Sequence, residues 1–371
     1  MRITIVQGAF LPIPPVLGGA VEKIWFALGR EFASRGHQVT HISQEHPNLE
    51  SQEILDGVHH IRIPGFEIPR SLVKLKWRDL IYSRRVLGAI PESDVIVTNT
   101  FWLPIIAPQL KRGKIYVHIA RYPKGQMRYY ARAARLQAVS TVIGNAVRQE
   151  APKLAAKVRV IPNFVSQVAS GVGEKREKSI LYVGRVHPEK GIQLLIEAFA
   201  KLLKMGFDDW TLRILGPWQV NFGGGGEAYF QNLRQITESM GDRVEWTGPV
   251  FDAEQLNAYY RRSSFFVYPS LAARGEASPL APLEAMAAGC PPLVSTLECF
   301  DDYLRPDHNG WSFDHRSRDS VGALASALKK VVCGDCSMET FRESAIETAR
   351  EYTLPKIAGQ YLRDFEEVVS Q

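Results

Sequence analysis

Short apolar runs alternate with amphipathic stretches along most of the chain, a rhythm that predicts strands each followed by a helix. Runs near 2–7, 38–43, 59–63, 94–98, 114–119, 136–140 and 157–161 read as one set of strands. Those near 179–184, 211–215, 243–247, 264–268 and 291–295 read as a second set. After the first run, Val21, Ile24, Trp25, Leu28 and Phe32 repeat at helical spacing and form one apolar stripe, which Gly36 ends. Such alternation is the pattern of parallel sheets covered by helices on both faces. It breaks over 162–178, where Gly and Ser precede the charged run Glu174-Lys-Arg-Glu-Lys178, and about the last sixty residues read as helical. The expected fold is α/β, with two Rossmann-like, doubly wound parallel-sheet domains facing a cleft. Residues 1–165 would form the first, 166–178 a linker, 179–352 the second, and 353–371 a helix crossing back to the first. A chain of 371 residues with 45% apolar content can fill two such cores.

Composition narrows the setting. No run of 18 apolar residues exists to span a bilayer, and Met1–Val6 is too short for a signal peptide and reads as the first strand. Cys290, Cys299, Cys333 and Cys336 are expected to be reduced thiols. Cys333-Gly-Asp-Cys336 has redox or half-zinc-site spacing. It follows a helical pattern and lacks a second pair, so it reads as a loop. The expected location is the cytoplasm, with a peripheral position at the inner membrane face.

The charge is uneven. Residues 1–170 hold 23 Lys and Arg against 11 Asp and Glu, or +12, while the remainder holds 22 against 28, or −6. A basic half points to an anionic partner for that half. Two segments concentrate it: Lys74-Leu-Lys76-Trp77-Arg78 running on to Arg84-Arg85, and Arg121-Tyr-Pro-Lys124 running through Arg128 to Arg132 and Arg135. Cations interleaved with Trp and Tyr suit a lipid interface or an acceptor surface, and equally a solvated helix face.

In doubly wound sheets, ligands bind beyond the carboxyl ends of the strands, and the informative residues lie there. After the strand at 179–184 come Gly184, Arg185 and Lys190, two cations beside a helix start that fit a diphosphate. Gly248-Pro-Val250-Phe is a tight turn whose backbone can meet a flat base. Gly18-Gly19 precedes the first helix without the G-x-G-x-x-G fingerprint of dinucleotide folds. Gly223–Gly226, with no lysine or hydroxyl residue behind it, reads as a mobile loop. Gly275–Gly289 places Glu276 and Glu284 eight residues apart across a turn that opens a helix, with Ser278 as N-cap, Pro279 as first helical residue and Gly289 as stop. Pro279 and Pro282 have no N–H, so Leu280 and Ala281 are the amides expected to reach a phosphate at the helix start.

Taken together, these motifs resemble the retaining nucleotide-sugar transferases of the GT-B fold that carry the E-x7-E signature, family four of the sequence classification. The likeness runs over nearly the whole chain, from Gly18-Gly19 and Glu22 through His118 and Val160-Ile-Pro-Asn-Phe164 to Gly184-Arg185, Lys190-Gly191, the Gly248 turn and Glu-Ala-Met-Ala-Ala-Gly289. The resemblance implies that Arg185 and Lys190 hold the donor diphosphate. It also implies that Glu276 contacts the sugar, Glu284 the ribose, and that His118 lies beside the sugar. The first domain would take the acceptor and the second the nucleotide sugar. The chain departs from the family at Ser278-Pro279-Leu280, where many members carry glycine, and at the Gly223–Gly226 insertion.

The expected reaction is transfer of a hexose from a nucleoside-diphosphate sugar, best guess UDP-glucose, to a glycan or lipid-linked acceptor in bacterial polysaccharide synthesis. Retention, no metal and no cofactor are part of the expectation, with Arg185 and Lys190 in the place of a divalent ion; nucleic acid is not an expected partner. The rivals are a glycoside hydrolase using the two glutamates, a GT-B sugar-nucleotide epimerase, and a non-enzymatic module binding an anionic surface.

Overall fold

The computed structural model describes residues 1–69, 71–107, 111–171, 176–334 and 337–371. The chain divides into two compact units, Met1–Phe164 with Leu354–Gln371, and Val165–Thr353.

In the first unit β1 (Arg2–Val6), β2 (Gln38–Gln44), β3 (Gln52–Leu55), β4 (Val58–Ile63), β5 (Val95–Thr98), β6 (Lys114–Ile119), β7 (Arg135–Ala138) and β8 (Val158–Val160) form one sheet. Its order is β3-β4-β2-β1-β5-β6-β7-β8, parallel except for the β3–β4 hairpin. Helix α1 (Ala20–Ser34) buries Ile24, Trp25, Leu28 and Phe32, the stripe read from the sequence. The chain's last helix, Leu354–Ser370, belongs to this same unit. Tyr361 meets Trp25 at 5.1 Å between ring centroids and Phe365 meets Phe32 at 5.7 Å, while buried Asp364 accepts from Tyr116 at 2.7 Å and pairs with Arg135 at 2.9 Å.

In the second unit β9 (Glu177–Val183), β10 (Thr211–Leu215), β11 (Val244–Gly248), β12 (Ser263–Tyr268), β13 (Pro292–Ser295) and β14 (Trp311–Phe313) form a parallel sheet ordered β11-β10-β9-β12-β13-β14. Strand order reverses between β1 and β5 in one sheet and between β9 and β12 in the other. These are the switch points where doubly wound sheets open a crevice at their carboxyl ends. Among the described residues no helix is long and apolar enough to cross a membrane.

Four expectations need correcting. Strand β3 is absent from the reading because its polar sequence sits at the sheet edge with little burial, and β14 interrupts the tail read as helical. Much of the stretch read as a linker is structured in the second unit: β9 starts at Glu177, and Arg176 donates to the carbonyls of Tyr260, Ser263 and Ala288. The helix after Glu276, α8 (Leu280–Ala287), begins one residue later than expected. Pro279 takes an extended ψ of 125° and becomes the N-cap in place of Ser278. Cys336 lies outside the described residues.

Candidate active site

Beyond the carboxyl ends of β9 and β12, the second unit builds a buried polar cluster. Lys190 ends a short 3-10 turn, Pro188–Lys190, and the next residue, Gly191, turns the chain at φ +69°. A Cβ at Gly191 would lie 2.0 Å from the Pro269 carbonyl oxygen, so only glycine lets the turn approach the end of β12. That approach carries Lys190 to Glu276, Nζ to Oε1 2.5 Å, with the two side chains only 7% and 6% exposed. The same Oε1 accepts from Ser270 Oγ at 2.6 Å and Tyr268 Oη at 3.1 Å. Three donors on one carboxylate oxygen fix the side chain and neutralise its charge, as burial demands. Tyr268 stacks on Tyr182, centroids 6.1 Å apart, and burial together with the Glu276 charge drives its hydroxyl well above the usual phenol range.

Close in sequence to Glu276, α8 begins at half-buried Leu280 and Ala281, whose N–H groups have no acceptor within the helix. Glu284, one turn further, accepts from the buried Tyr260 hydroxyl at 3.3 Å, and Gly289 ends the segment at φ +67°. Tyr182, Tyr260, Tyr268 and Ser270, which hold these groups in place, were missed in the sequence: Tyr182 and Tyr260 come from distant positions, and Tyr268 and Ser270 lie eight and six residues before Glu276 in no recognisable motif.

Arg185, at the carboxyl end of β9, lies beside this cluster but is already engaged. Its guanidinium donates to Glu189 Oε1 at 2.8 Å and to the Gly223 carbonyl at 2.6 Å. The glycine run read as a mobile loop is folded onto the unit: Gly225 N–H donates to the Val186 carbonyl and Gly226 N–H to Trp218, both at 2.8 Å. Trp218 in turn stacks on Phe230 at 4.0 Å and donates to Glu227. The insertion therefore presents a carbonyl that orients Arg185. Half-buried Val250 follows β11, and Phe251 beside it is 76% exposed, its ring 6.1 Å from Phe222.

The first unit has its own array at the same end of its sheet. Gly18 and Gly19 both have positive φ, and a Cβ at Gly19 would sit 2.1 Å from Glu22 Oε2; burial raises the pKa of that carboxyl. His118 Nδ1 lies 2.6 Å from Gln137 Oε1, while both protons of the Gln137 amide go to the carbonyls of Ala138 and Ile161. Gln137 can therefore only accept from His118, which places the imidazole proton on Nδ1 and leaves Nε2 as a buried acceptor without a partner. Continued one residue past the ends of β1 and β5, the strand registers bring Gln7 and Asn99 level with His118 of β6. Both amide atoms of Gln7, Asn99 Oδ1 and the indole N–H of Trp25 are likewise buried without partners. The row can satisfy hydroxyl groups or water, since it carries both donors and acceptors and no charge.

Burial lowers the His118 pKa to about 4. The unfolded imidazole takes up a proton near pH 6.5 and the folded one only near 4, so the site contributes stability above pH 6.5 that is lost as pH falls toward 4. Urea titrations at pH 7 and 5 should show a loss that is smaller by about 2 kcal/mol in His118→Gln than in the parent. Identical losses in the two proteins would mean that His118 titrates normally.

The remaining candidates lie elsewhere in the first unit. Lys74, Lys76, Trp77 and Arg78 are on α2 (Leu72–Ala89), and Arg121, Lys124 and Arg128 follow β6. Arg121 is close enough to Glu22 to act on its charge.

Two Rossmann-like units, with a buried Lys–Glu pair and a helix start following strands at a switch point of the second sheet, frame the candidate site. The chain belongs to the glycosyl transferases group 1 family: that family's model matches residues 167–352, and the model of glycosyltransferase family 4 matches 18–167. It is similar to a phosphatidyl-myo-inositol mannosyltransferase of Mycobacterium leprae, 30% identical over 52% of this chain and 47% of that protein. It is also similar to an exopolysaccharide phosphotransferase of Streptomyces coelicolor, 25% identical over 88% of this chain and 34% of that protein. The chain thus spans only about a third to a half of the length of these two relatives. Sucrose-phosphate synthase from Thermosynechococcus elongatus shares the fold with a TM-score of 0.80 at 20% identity, covering 100% of this chain and 99% of that one. HepE from Anabaena, solved with UDP-glucose, shares it at 0.69 and 17%, covering 99% and 100%.

Proposed function

We infer that the protein transfers a hexose, with retention and without a metal ion, from UDP-glucose to a glycan or lipid-linked acceptor in the synthesis of a bacterial polysaccharide. The observation that carries this reading is the buried Lys190–Glu276 pair beside the start of α8, with Arg185 at the same strand ends. Breaking the bond between anomeric carbon and phosphate leaves negative charge on the departing diphosphate. Lys190, Arg185 and the Leu280 and Ala281 amides are donors fixed in advance where that charge grows, which is the most effective form of electrostatic catalysis. Glu276 keeps a second oxygen for sugar hydroxyls, and Glu284 is assigned to the ribose. Retention follows from attack on the face the diphosphate leaves, its oxygen taking the acceptor proton. UDP-glucose is favoured because HepE, a neighbour in fold, was solved with it, and the polysaccharide setting because a relative carries that name.

A hydrolase is disfavoured: its acid and nucleophile must flank one bond, whereas Glu276 is tied to an ammonium and two hydroxyls. The test is incubation with labelled UDP-glucose and GDP-mannose in excess EDTA. Slow release of glucose and UDP that EDTA leaves intact is the expected result. Loss of turnover that Mg²⁺ or Mn²⁺ restores would sink the metal-free mechanism, and interconversion of sugar nucleotides would identify an epimerase.

A further inference from the structure

We propose that Phe222 and Phe251 form an aromatic platform on which the base of the donor nucleotide stacks, and that the glycine insertion after β10 presents it. The proposal deepens the transferase reading and rests on it for the ligand. Loops of the second unit meet beyond the carboxyl ends of β9, β10 and β11. Gly216 N–H donates to the Gly248 carbonyl and Val186 N–H to the Pro217 carbonyl, both at 2.9 Å, and Gly225 N–H donates back to Val186 at 2.8 Å. Phe222 stands on the middle loop, one residue before the Gly223 carbonyl that receives Arg185, and Phe251 on the turn after β11. The insertion is a departure from the pattern of the family, so the platform is this chain's own.

Both rings face water. Phe251 is 76% exposed, Phe222 51%, and Val220, on the same 3-10 turn as Phe222, 73%. The two ring centroids lie 6.1 Å apart at 51°, too close and too tilted to take a third ring between them, so a flat ligand would lie against their outer faces. The loop that carries Phe222 is built to one shape. A Cβ at Gly224 would lie 2.2 Å from the Trp218 carbonyl oxygen and one at Gly225 2.8 Å from the Tyr229 ring, while Trp218 is stacked on Phe230. Phe222 N–H donates to the Gln219 carbonyl at 3.1 Å. Directly after Phe251, Asp252 accepts from Gln255 N–H at 2.8 Å and caps the helix Ala253–Arg262.

Singly exposed apolar side chains are ordinary, but three on two adjoining, well-tied loops mark a contact. A nucleobase suits it: the base is flat, stacks on aromatic faces, and is joined through ribose to the phosphates assigned to Arg185. The Val250 backbone, next to Phe251, can then meet the edge of the base while the rings cover its face. Sugar hydroxyls would gain nothing from two hydrocarbon rings.

Titration calorimetry of the full chain with UDP and with inorganic pyrophosphate tests it. Phe222→Ser with Phe251→Ser should weaken UDP about 10-fold or more and leave pyrophosphate, which has no base, unchanged. Phe251→Trp keeps a stacking face and should hold UDP at least as tightly as the parent. Each variant is first shown to melt at the parent temperature, as substitution of such exposed side chains allows. Parent-like UDP binding by the double serine variant overturns the proposal. So does equal weakening of UDP and pyrophosphate, which would mean that the loop had shifted and Arg185 with it, or a loss in Phe251→Trp as large as in the serine variant. Self-association that the serine variant abolishes, with UDP binding intact, would give the rings to a second copy of the chain. A protein that binds neither ligand defeats the nucleotide-sugar reading itself, whereas one that binds UDP equally well without the rings loses only this inference.

Discussion

Replacing Lys190 with methionine should lower stability by about 3–5 kcal/mol and cut donor turnover by a factor of about 10² or more. The side chains are similar in length, so the loss is of charge rather than volume. Lys190 and Glu276 are both more than nine-tenths buried, and without the ammonium the Glu276 carboxylate keeps only the Ser270 and Tyr268 hydroxyls. Removing one partner of a buried pair costs far more than removing both, because it strands a desolvated charge. Lys190→Met combined with Glu276→Gln should therefore regain most of the lost stability while remaining inactive. Urea unfolding of the two single variants and the double variant, read as a cycle, separates the terms. If the double variant is no more stable than Lys190→Met, the pair is not a buried charge couple and the clamp assigned to Lys190 loses its basis.

The local patterns were legible where one physical rule sets them. The α1 stripe emerged from helical periodicity, and the parallel strands of both sheets from short apolar runs buried on both faces. Strand β3 was missed although Asp56-Gly57, both with positive φ, joins it to β4; that dipeptide is the strongest hairpin signal a sequence offers. The motif residues Arg185, Lys190, Glu276, Leu280 and Glu284 all follow strand ends of one sheet, but their partners were not legible. The Gly223 carbonyl on Arg185 and Tyr260 on Glu284 come from distant positions, while Glu189 on Arg185 and Ser270 and Tyr268 on Glu276 are four to eight residues away and depend on how each loop folds back. The neutral row of Gln7, Asn99 and His118 is invisible in sequence for the same reason, since register aligns residues about a hundred positions apart. Reading Lys190 only as a diphosphate ligand left out the counter-charge that a buried cation needs in its own fold.

The pairing of Lys190 with Glu276 also fixes how the two glutamates should differ. In Glu276→Gln the amide can still accept from Ser270 and Tyr268, but Lys190 loses its counter-charge and faces a phosphate with its own charge uncompensated. Binding of UDP, which has no sugar to lose, should therefore persist or tighten, while turnover of UDP-glucose falls by a factor of about 10² or more as the sugar contact and the balance of charge are lost. Glu284 accepts from Tyr260 and lies one helical turn beyond the amides of Leu280 and Ala281, at the position assigned to the ribose. Glu284→Ala should weaken UDP and UDP-glucose alike by about 1–3 kcal/mol, the value of a hydrogen bond to a charged group. Titration calorimetry with UDP on both variants, beside donor hydrolysis, distinguishes the roles. Abolished UDP binding in Glu276→Gln together with parent-like binding in Glu284→Ala would reverse them, placing the nucleotide on the buried glutamate and the sugar on the half-buried one.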